Sequence, residues 1–307
     1  MPTSTDSWVN VRTPKAAITD LRRGVFESKF NREPFYIGHG LVAHPLFSLP
    51  RLIELSRFLP ATSVEYNAGN LPINQNPDST PRNGLSVEET IRRIEMCNSW
   101  LVLKNVEQHP LYKQLLDECL DSIAEFSETV APGMTHREGF IFVSSPGSVT
   151  PYHIDPEYNF LLQVRGRKKV YLFDGRDRTL LTEREIEAFH AGASRNLVLA
   201  DENRGKGTCY ELEPGQGLHF PITHPHYVVN GPEVSISFSI TFRNPESDRL
   251  EILYRMNHQL RRFGLAPRPV GQSPRRDALL YSMFRGIRAV KRWAIPGRTK
   301  QGLEFLA

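Results

Sequence analysis

"TPYHIDPEYNFLLQVRGRKKVYLFD", residues 150–174, is the stretch whose reading decides the fold. It holds a His, one spacer and an Asp behind a proline, then two short aliphatic and aromatic runs divided by Arg-Gly-Arg. Runs of this length, rich in branched and aromatic residues and bounded by Gly, Pro or Asp, read as strands. In a strand, residues i and i+2 point to the same face, so His153 and Asp155 are expected to project together and offer two ligands to one ion. A His-x-Asp pair arises often by chance, and then it marks a turn or a satisfied polar pair. The third ligand is expected to be His226 in "PITHPHYVVNG" (221–231), with His224 the alternative if the register differs. Two His and one carboxylate leave the opposite side of an ion open, which is the arrangement of non-heme Fe(II) oxygenases.

Working outward, the strand signature repeats from about residue 137: "GFIFVSS", "FLLQVRG", "KKVYLFD", "TCYELEP", "GLHFP" and "VSISFSITF". One helical segment, "TEREIEAFHAG", interrupts them. Several short strands at this spacing suggest a sandwich or barrel. Upstream, 44–60 contains a short amphipathic helix, and 61–85, rich in Asn, Pro and Gly, reads as a long loop. Ser86 followed three residues later by Glu89 is a capping box that starts a helix. Residues 100–107 read as a strand, and 110–129 as an amphipathic helix. Residues 1–45 show no clear period. After Asn244 the strands give way to two helical stretches. The expected division is a mixed α/β part over 1–136, a β core over 137–243 and a helical pair over 244–307.

Parity within the strands nominates further residues. Lys168 alternates with Val170 and Leu172 and so shares an apolar face. A Lys pointing into an apolar interior is costly unless it meets an anion. Lys169 alternates with Tyr171 and Phe173, so parity leaves both lysines open. Thr150 has the wrong strict parity to share a face with His153, but Pro151 between them permits a bulge that re-aims it. In "VSISFSITF" one face is apolar and the other is Ser235, Ser237, Ser239 and Thr241, a hydroxyl face that either lines a wet cavity or meets solvent. Asn159 either serves the ion site or caps a turn. His219 and His190 read as ordinary polar or packed residues, and Tyr152 as a packing residue.

Residues 150–174, followed by "ELEPGQGLHFPITHPHYVVNGPEVSISFSITF" (211–242), resemble the JmjC (Jumonji-C) class of Fe(II)/2-oxoglutarate dioxygenases. Within it the likeness is to the protein-hydroxylase and cupin-like branch, typified by the asparaginyl hydroxylase of hypoxia-inducible factor. The features that carry it come in order: a Thr three before the first His, the His-x-Asp, an Asn four after the Asp, a Gly-x-Lys, and a distal Pro-x-x-x-x-His-x-Val. The resemblance implies a mainly β fold with flanking helices, built on a double-stranded β-helix (jelly-roll) core. It implies His153, Asp155 and His226 as iron ligands, and Lys168 and Thr150 as partners of the distal carboxylate of 2-oxoglutarate. It places Asn159 and Ser239 beside the cosubstrate; the Asn usual at the latter position is absent. The implied activity is hydroxylation of a C–H bond of a small-molecule or protein substrate, with release of succinate and CO2. The alternative is a cupin-like binding or regulatory protein without turnover. The apolar stripes of the two C-terminal helices either pack on the chain's own barrel or join two copies of it, and the same resemblance implies homodimerisation.

Bulk composition agrees with a folded chain: 307 residues, 39% hydrophobic and 23% charged. The net charge of +4 gathers near the C-terminus. There Arg285, Arg288, Lys291 and Arg292 lie among apolar positions, as the solvated rim of a helix or as a weak contact for an anionic membrane surface. No nucleic-acid partner is expected. Cys97, Cys119 and Cys209 form no Cys-x-x-Cys pair, which speaks against a disulfide framework. The N-terminus lacks the apolar core of a signal peptide, and a cytoplasmic location is the expectation.

Overall fold

Alternation organises the long strand at Ser235–Arg243: Ile236, Phe238, Ile240 and Phe242 are buried on one side, and Ser235, Ser237, Ser239 and Thr241 occupy the other. The protein, seen here as a computed structural model, is described over residues 17–294, with side chains to residue 286. In chain order it forms β1 (Ile18–Thr19), α1 (Arg23–Lys29), β2 (Phe35–His39), α2 (Leu49–Phe58), β3 (Val64–Ala68), α3 (Val87–Arg92), β4 (Ser99–Lys104) and α4 (Pro110–Ser127). Then come β5 (Thr135–Ser144), β6 (Val149–His153), β7 (Tyr158–Arg165), β8 (Lys168–Leu172), α5 (Glu183–His190), β9 (Thr208–Leu212), β10 (Gln216–Phe220), β11 (His226–Asn230), β12 (Ser235–Arg243), α6 (Pro245–Arg262) and α7 (Pro274–Ala294).

Eight strands make one antiparallel sheet in the order β1-β2-β10-β7-β12-β5-β4-β3, and four make a second, β6-β11-β8-β9. From β5 to β8, and again from β9 to β12, the chain crosses between the sheets at each successive strand, the winding of a jelly roll. Among the described residues the two sheets share no strand pairing, so this core is two layered sheets rather than a closed barrel. One face of the large sheet, with Ile236, Phe238 and Ile240, packs with Leu52 and Leu55 of α2 and Leu115, Leu116 and Ile123 of α4 in one apolar cluster. Burial of each such side chain contributes about 1.5–3 kcal/mol. Leu161, Val170, Leu172, Leu218, Phe220 and Val228, drawn from both sheets, form a second cluster.

The mainly β fold with flanking helices is as expected, and the Ser86–Glu89 capping box starts α3 as expected. Three readings change. Residues 61–85 are not loop throughout, because Val64–Ala68 pair with β4 from Val64↔Leu103 to Ala68↔Ser99. Five residues with alternating polar side chains carry little signal of their own; the strand exists because a neighbour 35 or so positions on supplies its ladder. The aperiodic N-terminal stretch supplies β1, α1 and β2, and β2 pairs with β10 deep in the core. Finally, β6 ends at His153, so His153 and Asp155 are not two residues of one strand.

By contact density the chain divides into two units, one holding residues up to 182 with 194–245, the other 183–193 with those from 246 on. In the second, Arg261 of α6 bonds the buried Glu187 of α5, and the His190 and Tyr254 rings stack at 5.0 Å. Met256 and Leu260 are half-buried, whereas Phe263, Leu265, Leu279 and Met283 are exposed. Ile287, Arg288, Val290, Lys291, Arg292 and Trp293 lie outside the described side chains. The three cysteines are free thiols, and no described helix is long and apolar enough to cross a membrane.

Candidate metal centre

His153 closes β6 and His226 opens β11, and the two face each other as a cross-strand pair with ring centroids 4.1 Å apart. Each ring is fixed by its Nδ1: that of His153 lies 2.7 Å from Pro151 O, and that of His226 3.0 Å from His224 O. A carbonyl only accepts, so each Nδ1 carries the hydrogen and each Nε2 keeps a bare lone pair. The two Nε2 atoms stand 3.7 and 3.6 Å from Asp155 Oδ2. One donor atom from each of the three residues lies within 4.8 Å of the others. Asp155 is brought in by the turn after β6, where its carbonyl accepts from Thr223 N at 2.9 Å.

The electrostatics suit a cation. Burial, then the neighbouring His226 and Arg195, holds His153 well below the usual imidazole range, and burial lowers His226 as well. Both are therefore neutral and able to ligate at pH 7. Burial pushes the Asp155 carboxyl up, but Arg195 first, then His153 and His226, outweigh it and hold it at about 2. Two neutral imidazoles and one carboxylate, each with a fixed outer hydrogen bond or ion pair, are the donor set a divalent first-row ion requires.

These residues open into a pocket between the two sheets. Thr150, Asn159, Lys168 and Ser239 all line it with the triad. Thr150 gets there by a bulge. Between the pairs His226↔His153 and Val228↔Thr150, β6 has one residue more than β11, so Thr150 and His153 share a face despite their odd spacing. Lys168 points inward with Val170 and Leu172, whereas Lys169 is exposed and paired with Glu211 at 3.0 Å. Burial alone lowers Lys168 to about 7, and no acid among the described residues lies within ion-pair distance. The hydroxyl face of β12 turns to this interior: Ser235 and Ser237 are tied to Gln163 at 3.0 and 2.6 Å, and Ser239 borders the cavity.

The remaining histidines have other work. His224 turns its Nε2 to Asp174, 3.6 Å away. His219 accepts from Asn31 N, faces Asn159 O through its Nδ1 and stacks on Phe30 at 4.7 Å; burial lowers it to about 3. Tyr152 is buried edge-on to Phe173. Two residues at the cavity had no sequence signal. Arg195 sits in the loop after α5 and reaches Asp155 Oδ1 at 3.3 Å, placed by an isolated bridge between His153 and Asn196. Trp100 belongs to β4, far upstream of the motif.

The profile of the cupin-like domain family matches residues 62–261. Lysine-specific demethylase 8 of Xenopus tropicalis is 28% identical over 145 residues, 44% of this chain and 31% of that protein. Its Danio rerio counterpart is 34% identical over 102 residues, 31% of this chain and 24% of that protein. The chain thus spans less than a third of these relatives. Among solved structures, YcfD of Escherichia coli superposes with TM-score 0.50 at 16% identity, covering 94% of this chain and 71% of that one. YcfD described as a ribosomal oxygenase in complex with cobalt and 2-oxoglutarate also gives 0.50 at 16%, covering 90% and 68%. At that identity the likeness is one of fold.

Proposed function

The chain belongs to the cupin-like domain family, and from that premise we propose that it is an Fe(II)- and 2-oxoglutarate-dependent oxygenase, hydroxylating a C–H bond with release of succinate and CO2. The observation that carries this is the convergence of His153, Asp155 and His226 with an inward Lys168 in one cavity. The triad is an open-sided cation site, and Lys168 is a buried amine with no acid within ion-pair distance among the described residues. A dicarboxylate that chelates the metal at one end and meets Lys168 at the other accounts for both.

Fe(II), when bound, supplies the redox chemistry by which O2 oxidises 2-oxoglutarate and the substrate together. The chain's own residues do the rest. His153 and His226 present fixed Nε2 lone pairs, and Arg195 engages Asp155 Oδ1 while Oδ2 faces the histidines. Lys168 and Thr150 receive the distal carboxylate. Leu161, Phe220 and Val228 give the cavity apolar walls that exclude water and strengthen these charge contacts. The described relatives and neighbour include lysine-specific demethylases and a ribosomal oxygenase, and those names support a protein substrate here.

The test is reconstitution with Fe(II) and 2-oxoglutarate, following succinate release and the visible charge-transfer band of the anaerobic complex. Both are expected in the parent and lost in Asp155→Ala. A protein that binds the metal but gives neither signal is a cupin-like binding protein and not an oxygenase.

A further inference from the structure

The two oxygens of Asp155 face different groups. Oδ2 lies 3.7 and 3.6 Å from Nε2 of His153 and of His226, whereas Oδ1 lies 3.3 Å from Arg195 Nη2. The Arg195 side chain is half-exposed, and an ion pair that meets water adds little by itself. The guanidinium therefore stays at Oδ1 only if the backbone that carries it is fixed by other means.

That backbone lies outside any helix or strand, yet it is pinned at Arg195, Asn196, Leu197 and Leu199. Arg195 O accepts from Ile154 N at 3.2 Å, and Leu197 N donates to Tyr152 O at 2.9 Å. Asn74, in the stretch between β3 and α3, bonds both backbone groups of Leu199: its Nδ2 donates to Leu199 O at 2.9 Å and its Oδ1 accepts from Leu199 N at 2.8 Å. A side-chain amide carries one acceptor oxygen and one donor nitrogen, so Asn74 stands in for the neighbouring strand that this segment lacks. Asn196 Nδ2 donates to Gln75 O at 3.1 Å, and Tyr152 N donates to Ile73 O at 2.9 Å. The Asn74 stretch is thereby tied to the strand that ends in His153.

We propose that Arg195, held in place by Asn74, is a positioning residue that keeps Asp155 a one-oxygen donor to the metal. This rests on the metal centre of the oxygenase reading above and adds what keeps that centre open. A carboxylate free of other partners can close on an ion with both oxygens. The second oxygen would then take a position on the side that two His and one carboxylate leave vacant. With Oδ1 engaged by the guanidinium, only Oδ2 is available, and the open side stays free for a ligand that binds through two atoms, as a 2-oxo acid does.

The experiment loads the full chain with Co(II), whose visible spectrum follows its ligands, and titrates it with azide, which binds through one atom, and with acetohydroxamate, which binds through two. Both probes carry one negative charge, so loss of the Arg195 charge moves both alike and cancels in their ratio. In Arg195→Met the acetohydroxamate dissociation constant is expected to rise about tenfold relative to that of azide, the scale on which outer supports of a metal ligand act, with Co(II) still bound. Arg195→Lys, which keeps a cation able to meet Oδ1, is expected to restore most of the parent ratio. Asn74→Ala leaves every charge in place and is expected to move the ratio part of the way. A residue that only supports the fold would lower Co(II) affinity and leave the ratio alone. A parent ratio in Arg195→Met, or loss of its Co(II) binding, therefore overturns the proposal, and a parent ratio in Asn74→Ala removes Asn74 from it. A parent chain that binds acetohydroxamate but not 2-oxoglutarate overturns the oxygenase reading, while the shifted ratio in Arg195→Met still upholds the role of Arg195.

Discussion

Lys168 shows how a single buried charge constrains function. Its neighbours Val170 and Leu172 are apolar, and burial has already brought its ammonium down to about 7. A carboxylate at that place favours the charged form, so binding 2-oxoglutarate takes up a proton wherever the free lysine is neutral. The sign follows: apparent affinity is flat below pH 7 and falls about tenfold per pH unit above it, until the pKa of the bound state is reached. Lys168→Arg, which stays charged, is expected to flatten this profile, and calorimetry between pH 6 and 9 reads it. Lys168→Ala is expected to raise the 2-oxoglutarate requirement on the order of tenfold to a hundredfold with metal binding intact. A large effect of Lys169→Ala instead would contradict the exposed Lys169–Glu211 pair. At the triad, His153→Ala or Asp155→Ala removes one of three donors, and loss of Mn(II) binding by titration is the expected outcome.

Elements hold those residues in place through irregularities more than through regular strand. The bulge in β6 turns Thr150 to the metal face, and the turn before β11 holds Thr223 at φ 57, strained for a β-branched residue. That turn bonds the Asp155 carbonyl on one side and packs on Gly175 on the other, where an added Cβ would meet Thr223 O at 2.6 Å. Gly175→Ala therefore pushes a methyl group against the Thr223 carbonyl beside His224 and His226. Metal affinity is expected to fall about tenfold, as when outer supports of a ligand are lost, while the helices stay folded by circular dichroism. Unchanged affinity would mean the turn yields without moving His226. Farther away, Ser86→Ala removes the hydroxyl that accepts from Glu89 N and is expected to cost about 1 kcal/mol in denaturant unfolding.

For the whole molecule, the question left by the two-sheet core is what covers the C-terminal helices. Phe263, Leu265, Leu279 and Met283 are apolar and exposed in their unit. Such residues gathered in one small unit favour a partner surface, and we propose that this surface joins two copies of the chain. Light scattering is expected to give a dimer for the parent and a monomer for the double variant Leu279→Glu, Met283→Glu. A monomeric parent removes the proposal, and salt-sensitive binding to anionic vesicles would assign the region to a membrane surface instead.

The sequence by itself determined most strands of the run from β5 to β12 and the His-x-Asp with its distant His, while parity left Lys168 and Lys169 both open. Each of these depends on local period or on a short motif, which a chain carries whatever it folds against. Only the tertiary structure decided the rest. Parity put Thr150 on the wrong face until a bulge corrected it, and it put Asp155 on a strand that ends two residues earlier. Strand β3 came from pairing and not from propensity. Arg195 and Trp100 reach the cavity from a loop and a strand with no motif of their own, because their roles depend on which atoms a fold brings within a few ångströms, and spacing along the chain does not record that.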